Sequence, residues 1–356
     1  MKTKIKWIKL GQIHEPLKRP FVTALHQVTE IAAIGVEIGL ENGLIGHGTA
    51  TPNEKVTGDT LNSLADVMKK VIKPQLIGQE ITDWENLLVV VQNSVRYNAP
   101  AKAAFEIALY DLRAQLFQTS LTGLLGGTPH FLTTDYTISI AAEEKMIQEA
   151  KQLVQTGFTA LKLKLGGQSV TEDIQLVKKV AEVIPKTISL RLDLNQAWSA
   201  KQTLWAISKW VKSGLNIEFI EQPVCFDDLA GMKLVTANSP VPIMADESVQ
   251  TVKDAWKLID LQACDLINIK LMKTGGLSQA IQISQLCQQA GMKCMIGCMI
   301  EARASIAAAV AFATARPNVV YFDLDSVFMS AKPQSAGGFT SHKNQLLATA
   351  KIGLGL

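Results

Sequence analysis

The sequence lacks the features that mark secreted, zinc-thiolate and nucleic-acid-binding proteins. Its five cysteines all lie after residue 224, are odd in number and form no CxxC pair. This pattern argues against a disulfide framework or a zinc site and favours the reducing cytoplasm. Lysine and arginine number 35 against 32 acidic residues, and no long basic run is present. We therefore expect no nucleic-acid partner.

Long apolar runs and targeting signals are also missing. Residues 1–16 have scattered charges without an apolar core, which predicts no signal peptide. The longest weakly polar run, 304–315, is about half the roughly 20 residues that span a bilayer. Hydrophobic residues make up 47% of the 356 residues, which excludes a disordered chain. We expect no membrane partner and a soluble protein of one large domain with an appendage, or of two domains, and a homo-oligomer is compatible with this composition.

The first third of the chain predicts a small sheet followed by helices. Strand patterns cover residues 2–10, 30–40 and 44–50, and Asn42-Gly43 is a strong hairpin signal between the last two. Helical periodicity follows over residues 59–74, 81–93 and 99–117. Residues 1 to about 125 therefore predict an α+β unit.

From about residue 130 the pattern changes to strands alternating with helices. Apolar runs lie at residues 136–140, 160–165, 189–194, 218–220, 243–246, 266–269, 293–297 and 321–323. Eight strands alternating with helices predict a protein of the α/β class, a closed parallel (β/α)8 barrel. An open dinucleotide-binding sheet is disfavoured, because no GxGxxG motif follows the first strand.

Polar residues close seven of these runs at intervals of 24 to 29 residues, about one βα unit each time: Lys164, Asp193, Glu221, Asp246, Lys270, Cys298 and Asp323. Such residues should ring the carboxyl end of the barrel, where the chemistry of these barrels lies. Asp193, Glu221 and Asp246 fall on adjacent strands. One such acid is usually a helix cap or a loop ion pair, but three at regular spacing predict an oxygen-only site for one Mg²⁺ or Mn²⁺ ion.

Lysines flank this predicted metal site on both sides. Lys162 and Lys164 share the interior face of the second strand, and Lys270 ends the sixth strand, opposite in the barrel. They could reach solvent or pair with the acids. Alternatively, a metal-bound carboxylate substrate could form an enediolate, with Lys162 and the metal lowering the pKa of Lys164. Lys164 and Lys270 as two catalytic bases then predict 1,1-proton transfer, that is, racemisation or epimerisation.

Together, KxK on strand 2, Asp/Glu/Asp on strands 3 to 5 and Lys on strand 6 resemble the enolase superfamily, in its muconate lactonising enzyme subgroup. The resemblance implies an α+β capping domain over residues 1–125, completed by the tail 326–356, and a catalytic barrel over residues 126–325. The mandelate racemase branch would need a histidine near strand 7, where this sequence has none.

The eighth strand, VVYFDLDSV, bears on the substrate. Asp323 and Asp325 should face the same way by strand period, unless they form an ordinary ion pair. In the dipeptide epimerases that the sequence resembles, an Asp-x-Asp at this place binds the α-ammonium group. The resemblance thus implies a Mg²⁺-dependent epimerase that inverts the C-terminal residue of L,L-dipeptides.

Substrate preference should depend on a capping loop around residues 15–30. Epimerases acting on Ala-Glu tend to carry an arginine where this sequence has His26, so we predict an apolar or aromatic C-terminal residue instead of strictly Glu; His26 could also be an ordinary loop histidine. The resemblance also places Lys162, Thr137 and Cys298 against the substrate, although Thr137 and Cys298 could equally pack the barrel mouth. It places Glu247 and Asn195 around the metal and lysine.

Other functions stay open at this point. Muconate cycloisomerase, o-succinylbenzoate synthase and N-acylamino acid racemase belong to the same subgroup and act on substrates without the ammonium group. A Schiff-base aldolase using Lys270 is an alternative from another class. A barrel that only binds a ligand would leave the ring of ionisable groups unexplained.

Overall fold

The N-terminal region of this computed structural model, which describes residues 2–332 and 336–356, opens with a three-stranded antiparallel sheet. Its strands are β1 (Ile5–Val22), β2 (Gln27–Leu40) and β3 (Ile45–Ala50). Residues 15–30, expected to be a loop, are instead mostly a β-hairpin that turns at residues 23–26. Pro16 and Pro20 hid this strand from the sequence pattern. Both are tolerated because β1 is an edge strand, and the pairing shifts register between Pro16 and Phe21.

The helices that follow cover one face of this sheet. They are α1 (Leu61–Val67), a π-helical segment (Met68–Ile72), α2 (Lys73–Leu76), α3 (Trp84–Asn93), α4 (Ala99–Leu116) and α5 (Leu121–Leu124). The Ala-rich α4 approaches β3 closely at Gly46 and Gly48. A Cβ atom on Gly48 would lie 2.0 Å from the Ala104 carbonyl oxygen, so only glycine allows this approach.

The predicted barrel is confirmed as an eight-stranded sheet with sequential parallel pairing. Hydrogen bonding from Asp135 N to the Phe322 carbonyl oxygen (3.2 Å) joins the two edges. The strands are β5 (Tyr136–Ile138), β6 (Ala160–Lys164), β7 (Ser189–Asp193), β8 (Ile217–Glu221), β9 (Ile243–Ala245), β10 (Leu266–Lys270), β11 (Lys293–Gly297) and β12 (Val319–Asp323). The helices are α6 (Glu143–Gln155), α7 (Val170–Val183), α8 (Ala200–Lys212), α9 (Leu229–Asn238), α10 (Val252–Leu261), α11 (Leu271–Thr274), α12 (Leu277–Gln289) and α13 (Arg303–Thr314).

Strand register places the polar side chains in layers. Lys164 pairs with Asp193, which pairs with Glu221, at the carboxyl ends of β6, β7 and β8. One layer below, Lys162 is level with Arg191. Because alternate residues of a barrel strand point inward, these two layers form the upper interior of the barrel.

The C-terminal tail packs beside the barrel. After α14 (Ser326–Met329), β13 (Phe339–His342) and β14 (Gln345–Ala348) form a sheet with β4 (Phe131–Thr133). Leu354 N then donates to the Asp111 carboxylate of α4. Within the described residues, no helix has the length and apolar character needed to cross a membrane.

Candidate active site

Three buried carboxylates meet at the carboxyl end of the barrel. Asp193, Glu221 and Asp246 are each at most 1% exposed, and one oxygen from each lies within 4.8 Å of the others. The first two end their strands, and Asp246 follows β9 directly. The structure therefore brings together the three acids that strand spacing predicted to be metal ligands.

Lysines contact this triad from opposite sides. Lys164 Nζ donates to Asp193 Oδ2 (2.5 Å), and Lys270 Nζ donates to Asp246 Oδ2 (2.7 Å). Their strands, β6 and β10, are separated by three others in the sheet order, which places them across the barrel. Both lysines also line a cavity between the barrel and the N-terminal hairpin.

Lys162 lies beneath the triad and is 1% exposed. Its ammonium group lies 2.8 Å from Glu221 Oε2 and 3.1 Å from Asp193 Oδ2, and it donates to Asp323 Oδ2 at 2.9 Å. Burial would lower the pKa of Lys162, but Asp193, Asp323 and Glu221 outweigh it and raise the pKa well above its ordinary value. Lys162 is therefore a permanent cation.

The electrostatics of the triad fit a divalent cation. Burial raises the pKa of Glu221 to about 8, with Asp193 and Asp246 acting in the same direction. Glu221 Oε2 is buried and accepts no hydrogen bond, so its neighbour is the Lys162 ammonium group as an ion pair at 2.8 Å. Buried acids outnumber buried lysines around the triad: Asp193, Glu221, Asp246, Glu247, Asp323 and Asp325 against Lys162, Lys164, Lys270 and Lys273. Asp193, Glu221 and Asp246 are thus able to hold Mg²⁺, because three hard oxygen donors suit that ion and its binding can displace the proton of Glu221.

The backbone that presents these acids is strained. Asn195 and Gln222 follow β7 and β8 with positive φ of 38° and 34°. The Gln222 side chain accepts from Asp246 N (2.9 Å) and Ser248 N (3.1 Å), tying the ends of β8 and β9 together. Such strain in non-glycine residues is typical of positions where a precise functional geometry must be held.

Asp323 and Asp325 both line the cavity, as predicted, but they do not do so as alternate residues of one strand. Only Asp323 belongs to β12; Asp325 is the residue preceding α14, so strand period does not apply to it. Asp325 Oδ2 accepts from Thr137 N (2.6 Å), and Thr137 Oγ1 lies 3.5 Å from Asp323 Oδ1. Burial and Asp323 raise the pKa of Asp325 to about 7.

His26 lies at the turn of the N-terminal hairpin, facing the cavity. Asn53 Oδ1 accepts from two backbone amides, which leaves its Nδ2 to donate to His26 Nε2 (3.2 Å). His26 Nδ1 then carries the hydrogen and donates to Thr23 Oγ1 (3.2 Å). Burial, with Lys164 and Lys270 acting in the same direction, lowers the pKa of His26. This histidine is therefore neutral at neutral pH.

The remaining predicted residues also border the cavity. Cys298 follows β11, and burial raises the pKa of its thiol well above the ordinary value, which disfavours the nucleophilic thiolate form. Glu247 Oε1 accepts from Asn195 Nδ2 (3.1 Å), which joins the two residues expected around the metal and lysine.

Sequence reasoning missed several buried polar residues. Arg191 pairs with Asp135 (2.8 Å) and Glu218 (2.8 Å), and its position two residues before Asp193 could have revealed it. Lys273 lies on α11 and contacts Asp246. Asn268 donates to Glu221 Oε1 (2.9 Å), and Glu301 accepts from Met299 N (2.8 Å). Loop and first-turn residues such as Lys273 and Glu301 follow no strand period.

Comparison with known proteins agrees with this geometry. Residues 145–356 match the family described as enolase C-terminal domain-like, and residues 8–126 match the mandelate racemase / muconate lactonizing enzyme N-terminal domain. An L-Ala-D/L-Glu epimerase from Clostridium acetobutylicum is 39% identical over 352 residues, covering 99% of this chain and 98% of the relative.

Two solved structures are similar over nearly the whole chain. The substrate-liganded L-Ala-D/L-Glu epimerase from Bacillus subtilis has a TM-score of 0.97 at 39% identity, covering 99% of this chain and 98% of the other. A dipeptide epimerase from Enterococcus faecalis, complexed with Mg and the dipeptide L-Leu-L-Tyr, has a TM-score of 0.94 at 38% identity, covering 99% of both chains.

A barrel with three buried carboxylates between two opposed lysines, beside a small α+β region, defines a metal-dependent enzyme that moves a proton next to a carboxylate. The chain belongs to the enolase superfamily, in its mandelate racemase / muconate lactonizing enzyme group.

Proposed function

We propose that this protein is a Mg²⁺-dependent dipeptide epimerase, an isomerase that inverts the α-carbon of the C-terminal residue of L,L-dipeptides. The observation that carries the proposal is the pair of lysines, Lys164 and Lys270, held on opposite sides of the buried carboxylate triad. The relative and the two solved structures described above each match 99% of the chain and are epimerases by name, and one of the structures is complexed with Mg and a dipeptide.

The two lysines act as the bases. One neutral lysine removes the α-proton from one face of the substrate, and the ammonium group of the other returns a proton to the opposite face. When bound to Asp193, Glu221 and Asp246, Mg²⁺ supplies positive charge that stabilises the substrate carboxylate as the α-proton leaves. Lys162, a permanent cation beneath the triad, balances the charge of these acids. It also helps to bind the carboxylate group of the substrate. Thr137 and Cys298 contact the substrate at the cavity wall.

The Asp323 and Asp325 carboxylates bind the α-ammonium group of the dipeptide. Both are buried and line the cavity, and Thr137 holds Asp325 in place. A cationic amino terminus is what two neighbouring carboxylates select, because an acylated amine would bring no positive charge to Asp325, which among the described residues has only Thr137 as a donor. This feature favours free dipeptides over N-acylated amino acids.

The C-terminal side chain of the substrate is apolar or aromatic in this proposal. The two similar solved epimerases differ in their named substrates at nearly equal identity, so identity does not decide this point. The cavity near His26 has apolar walls that include Val28, Val56, Met299 and Ile300. Its described lining contains no arginine, and the lysines there are the two bases. Since His26 is neutral, a Glu side chain would find no cationic partner.

Deuterium exchange tests this function. Free L,L-dipeptides (Ala-Glu, Xaa-Tyr and Xaa-Leu) and their N-acetylated forms are incubated with the protein in D2O, with and without Mg²⁺. We expect a Mg²⁺-dependent gain of one mass unit and formation of the L,D epimer, in the free Xaa-Tyr and Xaa-Leu peptides above all. Exchange confined to acetylated substrates would instead assign N-acylamino acid racemisation, and no exchange in any substrate would refute the proposal.

The domain division belongs to the same proposal. Residues 1–125 with the tail 326–356 would act as the capping domain, and residues 126–325 as the catalytic barrel. Contacts of the tail with Asp111 and Thr119 support placing the tail with the cap, and the N-terminal family match, which ends at residue 126, supports the first boundary.

A further inference from the structure

Lys273 is a fully buried lysine that the proposed proton transfers do not use. Its side chain is 0% exposed, and it is absent from the described lining of the cavity. It lies on α11, one turn after Lys270. A buried ammonium group costs free energy unless each of its protons is hydrogen-bonded, so its partners indicate its role.

The Lys273 ammonium group donates to three oxygen atoms, which belong to a predicted metal ligand, Asp246, and to Asn268, a residue that contacts another ligand. Its Nζ donates to the backbone carbonyl oxygen and to Oδ1 of Asp246, and to the Asn268 carbonyl oxygen at 3.1 Å. Asp246 Oδ2 accepts from Lys270, so each oxygen of this carboxylate has its own lysine. Asn268 in turn donates to Glu221 Oε1 (2.9 Å). One ammonium group thus fixes Asp246 directly and Glu221 through Asn268.

The segment after Lys273 is held by two residues of the N-terminal helices. Gln92 Nε2 on α3 donates to the Gly275 carbonyl oxygen (2.8 Å) and to Glu106 Oε1 (2.6 Å). Glu106 on α4, 0% exposed, accepts from Ser278 N (2.8 Å) and Ser278 Oγ (2.6 Å) at the start of α12. We call Gln92 and Glu106 the bracket.

The bracket fits tightly against the segment that follows α11. A Cβ atom on Gly276 would lie 2.5 Å from Glu106 Oε2, so the buried carboxylate fills the space that any other residue's side chain would need. Gly275 and Gly276 both have positive φ, 86° and 126°. The bracket therefore sets where α11, and with it Lys273, lies relative to the barrel.

We propose that Lys273 is a positioning residue for the Mg²⁺ site, and that the bracket of Gln92 and Glu106 holds it in place from the N-terminal region. Lys273 touches neither the substrate nor the reacting atoms. Its contribution is to fix the direction of the Asp246 carboxylate, and outer contacts of this kind typically change metal affinity by about 10- to 100-fold. The proposal rests on the proposed metal site, but not on the identity of the substrate.

Simple charge repulsion makes the opposite prediction. If Lys273 mattered only as a cation near the metal, its removal would tighten Mg²⁺ binding, because like charges repel. If it mattered only for folding, its removal would lower stability and leave Mg²⁺ affinity unchanged. Of the three roles, only positioning predicts that removal of Lys273 weakens Mg²⁺ binding while the protein stays folded.

Calorimetric titration of the full-length protein with Mg²⁺ separates these roles without any dipeptide. Lys273→Met keeps the aliphatic stem and removes the ammonium group, and the exposed Lys253→Met is the matched control. Circular dichroism in EDTA establishes that each variant is folded. We expect Lys273→Met to raise the Mg²⁺ Kd at least about 10-fold, and Lys253→Met to leave it unchanged. An equal or tighter Mg²⁺ affinity in folded Lys273→Met would overturn the proposal.

Glu106→Gln keeps the proposal testable if Lys273→Met does not fold. This variant lies away from the metal ligands, and we expect it to raise the Mg²⁺ Kd several-fold, because α11 loses its fixed position. An unchanged Kd in folded Glu106→Gln would contradict the role of the bracket. Because these titrations need no substrate, Mg²⁺ binding without dipeptide exchange would refute the proposed function while leaving this inference intact.

Discussion

Two buried regions of this molecule are built from opposite chemistry. On α4, which packs against β3, most of the buried residues are apolar, among them Ala103, Ala104 and Phe105 at 0% exposure. At the carboxyl end of the barrel, the equally buried side chains of Lys162, Asp193 and Glu221 are charged. Apolar burial stabilises the fold, whereas buried charges are often replaceable by apolar residues without loss of stability. Charges retained in a barrel interior therefore indicate function.

Apart from the loss of either lysine base, the largest expected effect comes from removing one charge at the functional end. Asp323→Asn should lower epimerisation of free dipeptides on the order of 100-fold, because truncating one partner of a buried charge pair costs about 2–5 kcal/mol. The measurement is the rate of deuterium gain, with the exposed Asp66→Asn as control. Full activity in Asp323→Asn would mean that the ammonium group binds elsewhere.

Overpacking at the apolar region should affect stability alone. Gly48→Ala forces a Cβ atom to 2.0 Å from the Ala104 carbonyl oxygen. We expect it to lower the free energy of unfolding by about 1–3 kcal/mol in urea titration, with unchanged Mg²⁺ affinity in the folded protein. Gly11→Ala is the matched control, since its Cβ would meet nothing within 4 Å. Weaker Mg²⁺ binding in folded Gly48→Ala would show that the two regions are coupled.

A smaller change should follow from placing a fixed charge near the cavity. His26→Arg introduces a permanent cation where the histidine is neutral, and we expect the ratio of kcat/KM for Ala-Glu to that for Xaa-Tyr to rise about 10-fold, the value of one charged hydrogen bond. The exposed His342→Arg serves as control. An unchanged ratio would remove His26 from the set of specificity residues.

A change of pH, unlike the substitutions above, should alter Mg²⁺ binding in the unchanged protein. Because Glu221 keeps its proton up to a pKa of about 8, Mg²⁺ must displace that proton at lower pH. The Mg²⁺ Kd should therefore fall as pH rises from 6 to 8 and level off above. Calorimetry in buffers of different ionisation enthalpy should detect the released proton, and a Kd that is constant over this range would contradict the assignment.

The sequence predicted the barrel and its charged end well, because both follow short-range periods. Lysines at alternate positions, Lys162 and Lys164, can share only one face of a strand, and regular βα spacing brings Asp193, Glu221 and Asp246 to one end. Apolar periodicity likewise predicted α4 at nearly its observed length.

Features that depend on tertiary contacts escaped the sequence. The extension of β1 through Pro16 requires an edge position that no local pattern reveals. Asp325 reaches the cavity from the turn before α14, and Lys273 reaches Asp246 from the first turn of α11. Neither residue belongs to a strand, so the alternation of strand side chains does not predict where it points. Its direction is set by packing against the rest of the molecule.

The two-base mechanism is tested most directly by following each epimer separately in variants that lack one lysine. Lys164→Ala and Lys270→Ala are incubated in D2O and Mg²⁺ with the L,L and the L,D epimer of one active dipeptide, and the exposed Lys201→Ala is the control. We predict that each variant loses epimerisation by about 10³-fold but still exchanges the α-proton of one epimer, and that the two variants retain opposite epimers. Retention of the same epimer by both variants, or undiminished epimerisation in either, would contradict the account.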